Sequence, residues 1–342
     1  MVQAANAAQH NALHTPVMLD ECLDLLAPAI SIPDAVLIDC TLGMGGHTEA
    51  ALERFPDLTV IGIDRDADAI RLASERLAPF GRRFRAVHTT YDYVADVAKR
   101  YGRLGKADGV LMDLGVSSFQ LDVRERGFSY AHGGPLDMRM DTSRAYSVKD
   151  LVNNAEESEL VHILRVYGEE KCASRIAKAI VAQRAKAPIV TTDQLAALVK
   201  DAIPAPAKRT GGNPAKRTFQ ALRIAVNDEL SILEDALPRA IQCLRIGGRL
   251  CVEAYHSLED RMVKRVFQAG TESSSPAGLP VELEGHEPYL AALVKGAAKA
   301  PADECDRNPR AQSVRIRAVE KLRDAQLIAT PEKARHNNEG VA

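Results

Sequence analysis

"AVLIDCTLGMGGHTEAALERF", residues 35–55, decides the fold. An apolar run of strand length ends on an acid, Asp39. Three glycines then fall within four positions, Gly43, Gly45 and Gly46, and a helical pattern follows. Glycines between a buried strand and a helix let the backbone turn tightly and approach a ligand closely. The helix behind them offers free N–H groups at its first turn. The spacing is T-x-G-x-G-G-H, not G-x-G-x-x-G, so a pyrophosphate is not specifically implied. A turn of this kind also cradles the amino-acid and sugar portions of S-adenosylmethionine.

Downstream, "LTVIGID" (58–64) reads as a second buried strand and "RDADAIRLASERL" (65–77) as a helix with Ile70, Ala73 and Leu77 at helical spacing. "RFRAVH" (83–88), "DGVLMDLG" (108–115) and "RLCVEAY" (249–255) supply three more strands. "QSVRIRAV" (312–319) supplies a last one, with a weak strand near "LAALVK". Strands alternating with helices imply a parallel sheet covered on both faces, a doubly wound α/β domain. From about residue 121 to 217 the pattern is mostly helical, so the sheet domain carries a helical insert. Thr191 and Gln194 form a capping box at the start of one of its helices. A long helix is expected from Thr218 with Phe219, Leu222, Val226, Leu230 and Leu233 on one face. Another is expected to end at "LRIGG", where Gly247 suits the left-handed position past a helix.

These patterns divide the chain at 1–120, first part of the sheet domain; 121–216, helical insert; 217–324, second part; and 325–342, a disordered tail. The N-terminal "MVQAANAAQHNAL" reads as a short arm and lacks the build of a signal peptide. No apolar run is long enough to cross a bilayer. A cytoplasmic protein is expected. The six cysteines show no C-x-x-C spacing, so they read as reduced thiols; no metal-ligand set is identified, and none is expected to be required. Formal net charge is −2, yet residues 138–217 hold 14 Lys and Arg against 9 Asp and Glu. A polyanion would therefore meet the insert, above all Lys208, Arg209, Lys216 and Arg217 in "AKRTGGNPAKRT".

Asp39, Asp64 and Asp113 end the first, second and fourth strands, and open α/β sheets bind ligands at that edge. Asp64 suits a ribose diol or a helix cap. Asp39 suits a ligand contact or a support for the glycine turn. His47 and His256 each read as a site contact or as a backbone-bonded loop residue.

Longer motifs go further. "HTPVMLDE" (14–21), "DCTLGMGGHTEA" (39–50), "DLGVSSFQLD" (113–122), "RGFSYAHGGPLDMRMD" (126–141), "RTFQALRIAVNDEL" (217–230), "HSLEDRMVKR" (256–265) and "NPRAQSVRIRAVEK" (308–321) resemble the ribosomal small-subunit methyltransferase H family, once called MraW. The resemblance spans nearly the whole chain. It implies a Rossmann-like class I S-adenosylmethionine-dependent methyltransferase fold with an inserted helical domain that recognises substrate. It implies methyl transfer to N4 of a cytidine in 16S ribosomal RNA, at the decoding centre of the small subunit. Carried over by motif, the cofactor contacts would be Gly45, Gly46, His47, Asp64, Tyr91, Asp113 and Gln120.

Asp113 would also orient the amine, with His256 a further catalytic candidate. Tyr255, Phe128 and Tyr130 could receive an unstacked base. Phe119 stands where the family has proline, which would loosen the loop holding Gln120. "AYHSLED" replaces a commoner S-F-H-S-L-E-D. A dehydrogenase is disfavoured by the turn and by the lack of a second nucleotide-binding half. A non-catalytic RNA-binding factor, or an enzyme acting on DNA or protein, stays open at this level, and the exposed insert leaves room for a homodimer.

Overall fold

The computed structural model describes residues 16–130, 133–204, 213–276 and 283–324. The expected N-terminal arm, the expected tail 325–342, and Lys208 and Arg209 lie outside them. Seven strands form one sheet: β1 (Val36–Asp39), β2 (Thr59–Asp64), β3 (Phe84–His88), β4 (Ala107–Asp113), β5 (Leu244–Ala254), β6 (Leu290–Ala292) and β7 (Arg315–Lys321). Their order is β3-β2-β1-β4-β5-β7-β6. The first five run parallel; β7 is antiparallel to β5 and β6 is antiparallel to β7. The sheet is doubly wound and Rossmann-like, parallel but for its last two strands.

Side chains alternate across the pleat. Ile38, Ile61, Ile63, Val110, Met112 and Val252 enter one core with α4 (Val94–Tyr101), α11 (Glu229–Cys243) and α12 (Ser257–Thr271). Leu37, Val60, Leu111 and Cys251 enter the opposite core with α1 (Leu19–Ile30), α2 (Gly46–Arg54) and α3 (Ala67–Leu77). Strands buried on both faces read as continuous apolar runs, which makes them visible in the sequence.

A short α5 (Ser118–Asp122) leads from β4 to the insert. There α6 (Val148–Asn154), α7 (Glu157–Val166), α8 (Ala173–Arg184) and α9 (Thr192–Ala202) surround a third core of Leu151, Leu160, Leu164, Ile176, Ile180 and Leu195. The box of Thr191 and Gln194 caps α9.

Two expectations change. The long helix from Thr218 is two helices, α10 (Lys216–Asn227) and α11, broken at Asp228 with φ 52°. Its single apolar face serves two cores: Phe219, Leu222 and Val226 pack in the insert, whereas Leu233 packs under the sheet. A straight helix could not reach both. Likewise "LRIGG" is strand, not helix end. Gly247 has φ 77°, but it sits inside β5, where the pairing with β4 jumps from Ala107–Leu244 to Gly109–Arg249. It serves a bulge. The last described helix is α13 (Ala302–Arg307).

Candidate active site at the carboxyl edge of the sheet

One cleft opens over the carboxyl ends of the parallel strands. Gly43, Gly46, His47, Asp64, Tyr91, Asp113, Gln120 and Tyr255 all contribute to its lining. Gly45 and His256 do not. Gly45 caps α2 in the left-handed region (φ 81°), and an added Cβ would come within 2.9 Å of Leu77. At Gly46 a Cβ would meet the Pro16 ring at 2.7 Å. The glycines therefore let the turn pack against its own scaffold, while Gly43 presents backbone to the cleft.

The three strand-end acids have different duties. Asp39 is 1 % exposed and accepts hydrogen bonds from Thr41 N–H (3.1 Å) and Thr48 Oγ1 (2.7 Å). It supports the glycine turn and does not line the cleft. Asp64 accepts from Gly43 N–H (2.8 Å) and Asp66 N–H (2.8 Å), and burial pushes its pKa up to about 6. Asp113 accepts from the Tyr255 hydroxyl at 2.7 Å on Oδ1, and its Oδ2 stands 3.7 Å from His47 Nδ1. Burial also pushes Asp113 up to about 6, against the pull of the Tyr255 hydrogen bond. Among the described residues, neither Asp64 nor Asp113 pairs with Lys or Arg. The cleft floor therefore favours a ligand with a positive centre and hydroxyl donors.

His47 is buried, and burial lowers its pKa. Its Nε2 is 3.4 Å from Glu253 Oε2. Glu253 is a fully buried carboxyl; burial and the Asp113 charge hold its pKa well above the usual range, against the pull of the Cys22 thiol.

Gln120 is fixed on both ends of its amide. Its Oε1 accepts from Ser117 N–H (3.2 Å), and its Nε2 donates to Asp66 Oδ2 (3.0 Å). Arg126 joins the same Asp66 (2.8 Å) and stacks over the Phe119 ring at 5.7 Å. Phe119 lies in the first turn of α5, where backbone N–H groups lack helical partners anyway. The loop is held by the capping box of Ser117 and Gln120, so the missing proline is compensated.

His256 caps α12: its Nδ1 accepts from Glu259 N–H at 3.4 Å, and its Nε2 stands 3.1 Å from Glu259 Oε1. Of the aromatic candidates, Phe128 is buried in the insert core, and Tyr130 packs edge-on against Phe219 at 5.7 Å. Only Tyr255 of these three reaches the cleft. Lys216 and Arg217 are exposed in the first turn of α10.

Sequence reasoning missed Arg126, Arg223 and Arg310. Arg223 lines the cleft and pairs with Glu229 (2.8 and 2.7 Å); Arg310 reaches across to Ser118 and Asp122 (3.1 Å). "RERGF", "RTFQALRIAVNDEL" and "NPRAQS" held the signal, arginines inside otherwise recognisable stretches.

The family model described as the MraW methylase family matches residues 11–322. The ribosomal RNA small subunit methyltransferase H of Kocuria rhizophila is 54% identical over 322 residues, 94% of this chain and 97% of that protein. Its namesake from Mycolicibacterium gilvum is 57% identical over 309 residues, 90% and 83% of the two chains. Among solved structures, an rRNA methylase from Streptococcus thermophilus aligns with a TM-score of 0.39 at 12% identity, covering 88% of this chain and 93% of that one.

Proposed function

This chain belongs to the MraW methylase family, and from that premise we propose that it methylates N4 of a cytidine in 16S ribosomal RNA at the decoding centre. S-adenosylmethionine, the family's cofactor, supplies when bound an electrophilic methyl group on a sulfonium sulfur. The donor set fits it: two carboxylates without Lys or Arg partners suit a sulfonium and a ribose diol, and the Gly43 backbone is bare toward the cleft. Asp64 would take the diol, Gly43 and Gly46 the amino-acid portion, and the Tyr91 ring would flank the base.

A cytosine amine is a poor nucleophile, because its lone pair is delocalised into the ring. Asp113 would accept an N4–H hydrogen bond, localise that lone pair and align it for in-line attack. In that alignment the bound cofactor would supply its methyl carbon to the N4 lone pair and keep the displaced electron pair on its own sulfur. The methylated nitrogen is then acidic and gives its proton to Asp113 or to water. The observation that carries this reading is the Asp113 carboxylate: the Tyr255 hydroxyl locks one oxygen at 2.7 Å, and its side chain stays 28% exposed in the cleft.

The electropositive insert would hold the RNA, with Lys216 and Arg217 on phosphates. The test is labelled cofactor incubated with small ribosomal subunits, free RNA, DNA and protein extract, followed by nucleoside mass spectrometry. N4-methylcytidine in small-subunit RNA is expected. Label in DNA, in protein or in another nucleoside would overturn the assignment.

A further inference from the structure

Behind the cleft floor, on the far side of His47, three side chains from distant segments converge. Cys22 comes from α1, His47 from the first turn of α2 and Glu253 from β5. One ligand-type atom of each lies within 4.8 Å of the other two. Glu253 is 0 % exposed, and neither of its oxygens has a hydrogen-bond partner at normal geometry; His47 Nε2 is equally unpartnered. Among the described residues, no Lys or Arg pairs with Glu253. Leaving a carboxylate in that state costs several kcal/mol. A proton on Glu253 would satisfy one oxygen. A cation would satisfy the carboxylate, the imidazole and the thiol together.

We propose that Cys22, His47 and Glu253 form a buried three-ligand site for a divalent transition metal, zinc by its ligand chemistry. Tetrahedral ligands at zinc bond lengths stand roughly 3.3–3.8 Å apart. His47 Nε2 and Glu253 Oε2 are 3.4 Å apart. The outer shell also matches a metal-bound imidazole: the other ring nitrogen of His47, Nδ1, stands 3.7 Å from Asp113 Oδ2. Binding would release the Cys22 thiol proton and any proton on Glu253 to solvent, and one thiolate with one carboxylate then neutralises the ion. The ion would pin α1 to β5 and fix the imidazole that abuts Asp113. No zinc spacing is visible in the sequence because the ligands come from three separate elements.

The experiment uses the full chain, untagged, and does not depend on the methyl acceptor. Metal analysis of the purified protein should find about one zinc per chain. After chelation, cobalt(II) should restore the site with a thiolate-to-cobalt charge-transfer band. Cys22→Ser and Glu253→Gln should each weaken cobalt binding about tenfold or more, and Cys22→Ser should diminish the band. Glu253→Leu, an apolar filling of the same space, tests the site in a chain that need not satisfy a buried charge; it should fold and bind no metal at this position. A chelated wild-type chain with native circular dichroism that takes up neither zinc nor cobalt overturns the site. So does metal uptake that Cys22→Ser and Glu253→Gln leave unchanged.

Discussion

Two histidine–glutamate pairs, each with a buried carboxyl, sit near the carboxyl edge of the sheet, and they are built in opposite ways. His256 and Glu259 lie at the start of α12. Glu259 Oε2 accepts from Tyr255 N–H (2.9 Å) and His256 N–H (3.2 Å), and Arg223 stands nearby. Burial pushes the Glu259 pKa up, but His256, Arg223 and those backbone donors outweigh it and leave it below the usual value. Glu253 is buried like Glu259, yet it receives no backbone hydrogen bond and its pKa goes the other way. Similar chemistry thus gives a carboxylate held by backbone donors at a helix start in one place and an uncompensated acid behind the cleft in the other. Polar groups without partners are where function is to be sought.

The largest effect expected from this contrast is on stability. Glu259→Leu strands two backbone donors and removes the partner of His256, and should cost about 3–5 kcal/mol in denaturant unfolding. Glu253→Leu, measured with chelator present, should be neutral or stabilising, because it removes an unsatisfied carboxyl. Equal losses of stability from the two substitutions would erase the distinction between the pairs.

Asp113 tests the next step, the link from His47 to the cleft. Asp113→Asn keeps the shape but weakens the acceptor, and turnover should fall about 10²–10³-fold, with cofactor affinity changing far less. Full turnover with normal cofactor affinity in that variant would show that the amine is oriented by something else.

The contrast also explains what the sequence could reveal. Strands β1, β2 and β4 are legible because burial on both faces leaves unbroken apolar runs such as "AVLID" and "LTVIGID". The early half of β5 is not, because Arg245, Gly247 and Gly248 in the bulge imitate a helix end. The break at Asp228 is hidden because one apolar stripe, from Phe219 to Leu233, feeds two cores. Asp64 and Asp113 can be picked out at strand ends by position alone. Glu253 cannot: in "RLCVEAY" an acid in alternation looks solvent-facing, and only the α1 layer over that face buries it. Arg126 and Asp66, far apart in sequence, have no local signal for their pairing.

Asp64 gives a pH test of intermediate size. A diol donates to an ionised carboxylate, and the free-state pKa is raised to about 6. Cofactor affinity should therefore be full above that pH and fall as pH drops through it, by up to about tenfold per unit. Asp64→Asn should bind weakly and keep only the shallower dependence that Asp113, also raised to about 6, contributes; calorimetry across about pH 5 to 8 checks both. Smaller still, neutralising Lys216 and Arg217 should lower RNA affinity and flatten its salt slope by roughly 0.7–0.9 for each phosphate the protein no longer neutralises. An unchanged slope would remove α10 from the RNA surface.

The smallest effect is expected at His256, and it bears most directly on the comparison. Its Nδ1 accepts the Glu259 N–H, which is the duty of an N-cap, and its ring does not line the cleft. Asparagine is a good cap whose side-chain oxygen can accept the same bond. His256→Asn should therefore leave unfolding within about 0.5 kcal/mol of the parent, whereas His256→Ala should cost about 1 kcal/mol. Turnover in His256→Asn, measured at saturating cofactor, should stay within twofold or so, since a cap acts through the helix and not on the reacting atoms. A large drop in turnover with stability preserved would mean that α12 swings its first turn toward the acceptor during reaction. The His256–Glu259 pair would then belong, like His47 and Glu253, to the chemistry of the cleft.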